Sequence, residues 1–103
     1  MIEIAPKEYE IRSNWHDARL YCFALNIDGK IGWRLPTVDE LHIIYNTAYC
    51  DFGRWYYWSC EEHDTENAID VDFQGQSIHF NASPENKGYD ENTVRPVRDL
   101  KDD

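Results

Sequence analysis

Three stretches of this chain carry side chains that could do chemistry. The first is Cys60-Glu61-Glu62-His63, whose Cys-x-x-His spacing suits two zinc ligands, with Cys50 ten residues earlier as a third. A fourth ligand has no evident source, and a free cysteine is more often a small buried apolar residue. The pattern therefore predicts no metal and no other cofactor. The second stretch is the acidic run Glu61, Glu62, Asp64 and Glu66. It offers hard oxygens but lacks the fixed spacing and the glycine of a calcium loop, and it reads as an acidic contact loop. The third is the aromatic block Trp55, Tyr56, Tyr57 and Trp58. In a strand, 55 and 57 face opposite to 56 and 58. One pair is expected in the core and the other exposed, where aromatic rings anchor sugars or proteins.

Catalysis finds no comparable support. His16, His42, His63 and His79 are scattered, and neither a nucleophile elbow nor a phosphate loop is present. A non-enzymatic chain is expected. Tyr89 and Asp90, in a polar stretch at 83–92, complete the expected contact residues, because loops on a rigid scaffold often carry binding.

The bulk properties narrow the partners. At 103 residues the chain is expected to form one domain, 1–103, with a charged tail at 99–103. Twenty acids against ten bases give a formal charge of −10. That argues against direct nucleic-acid binding, which needs a basic footprint, and against docking on anionic lipid. It permits a basic protein partner. No apolar run approaches the roughly 20 residues that a membrane helix needs. The segment MIEIAPKEYEI lacks a basic stretch followed by an apolar core. A cytoplasmic location with reduced thiols is expected, and a secreted form already stripped of its signal is also compatible with the sequence.

The elements that must position these residues are legible from spacing. Ile2 and Ile4, then Tyr9 and Ile11, predict one or two short strands divided by Pro6. Asn14 caps a helix to about residue 25, with Trp15, Ala18, Cys22 and Leu25 on its apolar face. Asp28-Gly29 marks a turn. In GWRLPTVDEL, residues 32–41, Pro36 biases Leu35 toward extended backbone. Thr37 and Glu40 form a capping box for a helix over 38–48, with Leu41 on its inner side. Trp33 and Leu35 are expected to be buried, and Arg34 to be paired with an acid. Residues 54–60 read as a strand. Residues 67–73 and 76–82 read as a hairpin around Gln74-Gly75 with one wet face bearing Asp70 and Asp72. Residues 93–98 read as a last strand. Two helices followed by antiparallel strands predict an α+β fold, with the N- and C-terminal strands paired.

Four motifs in order carry a resemblance: Trp15, Ala18 and Cys22 in W-x-x-A-x-x-x-C; GWRLPT-x-x-EL with Trp33, Arg34, Leu35, Pro36, Thr37, Glu40 and Leu41; Tyr57-Trp58-Ser59; and Val94-Arg95-Pro96-Val97-Arg98. Over about residues 10–99 the chain resembles the C-terminal domain of the Lcl adhesins, a bacterial and phage domain. The resemblance implies a C-type-lectin-like fold. It does not imply calcium-dependent sugar binding, since the Glu-Pro-Asn and Trp-Asn-Asp motifs of calcium-binding lectins are absent. Family adhesins are associated with sulfated polysaccharides, to which a −10 chain is a poor electrostatic match.

The expected function is that of a binding module recognising a protein or glycan through loops and exposed aromatics. The alternative is a small acidic intracellular inhibitor, of the kind a phage would encode, that occupies the basic nucleic-acid-binding surface of a protein partner. The oligomeric state is open at this point.

Overall fold

The computed structural model describes residues 1–48, 56–73 and 81–100. Strands β1 (Ile2–Ile4) and β2 (Ile11–Ser13) flank a 3-10 turn at Lys7–Tyr9. Helices α1 (Trp15–Ala24) and α2 (Val38–Ala48) follow. Then come β3 (Tyr56–Glu62), β4 (Asn67–Asp72), β5 (Asn81–Asn86), β6 (Asn92–Val94) and β7 (Val97–Asp99). The fold is α+β with mostly antiparallel sheets. One sheet has the order β2-β6-β3-β4-β5, and a second pairs β1 with β7, joining the two ends of the chain.

Local chemistry explains the helix boundaries. The Asn14 side chain accepts the Asp17 N–H at 2.8 Å and opens α1. At α2 the expected capping box is present: Thr37 Oγ1 accepts the Glu40 N–H at 3.0 Å, and Glu40 accepts the Thr37 N–H at 2.8 Å. Asp28 and Gly29 both have positive φ, at 53° and 88°, and Ile27 pairs with Lys30 across them. This is the two-residue turn that such a pair of angles allows.

The core lies on both faces of β3. Consecutive strand residues point to opposite faces. Trp58 packs with Trp15, Ala18 and Cys22 of α1, and Tyr57 packs with Leu41 and Ile44 of α2. The helices therefore cover opposite faces of the sheet. Both Tyr57 and Trp58 are fully buried, while Tyr56 is exposed, which corrects the expectation that Tyr57 is a contact residue.

The same double cover corrects the wet face expected for β4. Asp70 is 1% exposed and Ala68 fully buried, because they share the face of Trp58. Asp70 is offset there by the Asn92 amide, which donates to it at 3.0 Å. β4 pairs with β5 at 81–86, so the partner strand runs past 82 into the stretch expected as a loop at 83–92. Gln74, Gly75 and the rest of 74–80 lie outside the described residues. Pro84 is tolerated in β5 because that strand is at the sheet edge.

The single strand expected at 93–98 is two strands in different sheets. Arg95 and Pro96 make the crossing between them, and the Pro96 carbonyl accepts the Ala5 N–H at 2.9 Å. Arg95 is buried there. It donates to the Ala5 carbonyl at 2.7 Å and to Glu10 at 3.2 Å.

Candidate functional site

The residues of GWRLPT are committed to the scaffold. Arg34 exchanges two backbone hydrogen bonds with Val97, at 2.7 and 2.9 Å, and the Pro36 carbonyl accepts the Cys60 N–H at 2.8 Å. The motif thus bridges β7 and β3. Trp33 and Leu35 are buried as expected. The Arg34 guanidinium spans Glu40, at 2.7 and 2.8 Å, and Asp99, at 2.7 Å. These pairs hold the carboxyls of Glu40 and Asp99 below the usual carboxylate range.

Much of the expected acidic contact loop also has a structural role. Glu61 accepts the Val38 N–H at 2.6 Å, adding a second cap to α2. Asp64 accepts the Glu66 and Asn67 N–H groups at 2.9 and 2.7 Å, and these bonds lower its pKa. Asp90 accepts the Asn86 N–H at 2.8 Å and closes the turn after β5. Glu62 pairs with Lys87 at 3.3 Å. Tyr56, Glu66 and Tyr89 are exposed, Tyr57 is fully buried and so cannot contact a partner, and Trp55 lies outside the described residues. The expected residues do not converge on one site.

A residue that sequence reasoning missed organises this region. Lys87 is 3% exposed; its ammonium donates to the Thr65 carbonyl at 3.2 Å and lies 4.7 Å from the Trp15 ring centre. Its carbonyl accepts the Trp15 N–H at 2.9 Å.

The β3–β4 register shifts between Trp58 and Glu62. This irregularity leaves the Ser59 carbonyl free to accept the Trp15 indole N–H at 2.8 Å. Cys60 and Glu62 line one bank of a groove of about 640 Å³. The other bank is the outer side of α1, with His16, Arg19, Leu20 and Phe23, and residues 33–35 complete the lining. Leu20 is 66% exposed and Phe23 85%. The sequence signal for this face was the placement of Leu20 and Phe23 off the 15-18-22 stripe that α1 buries. Arg19 lies 4.9 Å from the Trp15 ring centre and makes no ion pair among the described residues.

The thiols are poor nucleophiles. Burial pushes the Cys22 pKa up to about 12 and raises that of Cys60 as well, so both are protonated at neutral pH. Cys50 lies outside the described residues. Among the described residues, no group of three or more His, Cys, Asp or Glu side chains is placed to hold a metal ion. No helix among them is long and apolar enough to cross a membrane.

The model of the Lcl C-terminal domain family matches residues 5–98. The chain belongs to that family. The match takes in nearly the whole chain, including every scaffold motif described above. No curated protein matches the chain. In this Lcl C-terminal domain, the GWRLPT motif is where two sheets and a helix meet, and the groove opens beside it.

Proposed function

We propose that this domain is a non-enzymatic binding module of C-type-lectin-like fold, and that the groove between α1 and β3 is where it takes a protein partner. One observation carries the reading. Two large apolar side chains, Leu20 and Phe23, stand exposed on a groove whose other walls are fixed by hydrogen bonds. Exposed apolar side chains grouped on a recess are a common mark of an interaction site. Two helices on opposite faces of a mostly antiparallel sheet, with β1 and β7 paired, support the lectin-like assignment. A protein fits better than a glycan. The Trp15 and Trp33 rings that line the groove are almost fully buried, and their indole N–H groups already donate to the Ser59 and Lys30 carbonyls. The protonated thiols of Cys22 and Cys60 suit a non-catalytic role in a reducing cytoplasm.

A photo-crosslinking amino acid at Phe23 tests the reading. It should capture a specific partner from native lysate, whereas the same group at exposed Ile43 of α2 should not. Equal capture from both positions would count against the groove.

The charge of −10 favours a second reading, an acidic inhibitor seated on a basic nucleic-acid-binding surface. Salt separates the two. Capture through charge weakens steeply between low and high ionic strength, and capture through Leu20 and Phe23 does not.

A further inference from the structure

We infer that the groove recognises a peptide segment bearing a carboxylate next to a large apolar side chain, with the carboxylate on Arg19 and the apolar group against Leu20 and Phe23. This rests on the binding-module reading and names its partner class. The cations near the groove differ in what they already bind. Arg34 is shared between Glu40 and Asp99. Lys87 is held by Glu62 and the Thr65 carbonyl. Arg19 has no ion pair among the described residues, and its guanidinium lies over the Trp15 ring. The Trp15 ring beneath it is pinned at its indole N–H by Ser59 and at its backbone by Lys87. A guanidinium ordered before binding loses less entropy when a carboxylate arrives. One turn of helix carries the cation and both apolar side chains, so one short segment can reach all three.

The charge distribution selects a peptide over a polyanion. A chain of −10 repels anions at long range, and Glu62 stands on the opposite bank. A polysulfated sugar would bring many charges to one available cation and leave Leu20 and Phe23 unpartnered. A single carboxylate beside an aromatic or branched side chain matches what the groove offers.

The test is an amide and indole N–H shift titration of the full ¹⁵N-labelled chain with three probes: the blocked peptide Asn-Phe-Asp-Leu, its uncharged analogue Asn-Phe-Asn-Leu, and a sulfated heparin disaccharide. The acidic peptide should shift Leu20, Phe23 and the Trp33 indole. The uncharged one should bind about tenfold more weakly, as expected for loss of one charge-assisted hydrogen-bond pair. Arg19→Gln, at an exposed position, should fold normally and remove that difference. Equal affinity of the two peptides at the groove would overturn carboxylate recognition while leaving the binding-module reading intact. Tighter binding of the disaccharide at the same resonances would overturn the peptide as occupant. Unshifted groove resonances with all three probes would count against both the inference and the reading beneath it.

Discussion

The Glu40 carboxylate accepts both Arg34 Nη groups, at 2.7 and 2.8 Å, while closing the cap of its own helix on Thr37. One side chain therefore ties the start of α2 to the strand-like motif and, through Arg34, to β7. Glu40→Ala should destabilise the fold by about 1–2 kcal/mol, combining a lost cap with a partly exposed ion pair. The pH dependence has a defined sign. The folded-state pKa of Glu40 is depressed, by the Arg34 hydrogen bond above all. Its contribution is present above the unfolded carboxylate pKa and is lost as pH falls through the folded value. Melting curves from pH 7 downward should show Glu40→Gln less stable than wild type at pH 7, with the gap narrowing toward pH 3.

Trp33 tests the scaffold role of GWRLPT from the packing side. It is 3% exposed and its indole N–H donates to the Lys30 carbonyl at 2.9 Å. Trp33→Ala should cost about 3–5 kcal/mol, as large aromatic truncations in cores do. Denaturant unfolding checks this, and an unchanged midpoint would remove Trp33 from the core account.

Glu85 behaves in the opposite sense to Glu40. Burial raises its pKa first, and its hydrogen bond with Asp90 and the nearby charge of Asp70 add to this. A folded pKa above the unfolded one means that ionisation on raising the pH weakens the fold. Glu85→Gln should therefore melt higher than wild type at pH 7, with the gap narrowing toward pH 4. An equal gap at both values would show that Glu85 does not titrate in this setting.

The helices were legible because their signals are local. Asn14, Thr37 and Glu40 act within one turn of where they stand, and the 15-18-22 stripe is one helix face. The two ends of the chain were expected to pair, and β1 and β7 do. What the sequence concealed depends on long-range cover. Alternation in 67–73 suggested a wet face, but α1 covers the Trp58 side of the sheet and α2 the other, so Asp70 and Tyr57 are both buried. Ser83-Pro84-Glu85-Asn86 has the composition of a loop and becomes a strand only by pairing with β4. The acidic residues Glu61, Asp64 and Asp90 looked available for a partner, but their acceptors go to backbone N–H groups. The groove joins α1, residues 33–35 and β3, which are far apart in sequence, and its outer helix face reads as ordinary surface until the opposite bank is in place.

On the proposed function, Leu20 and Phe23 serve a partner and not the fold. The direct measurement is a paired one on Leu20→Ser/Phe23→Ser: melting temperature, and retention of the partner that is crosslinked from position 23 of the wild type. Surface substitutions of this kind usually change stability by no more than about 0.5 kcal/mol each. The expected result is a melting temperature within a few degrees of wild type, as such a change implies for a chain of this size, and loss of the partner. A double variant that unfolds early, or that keeps its partner, would contradict it.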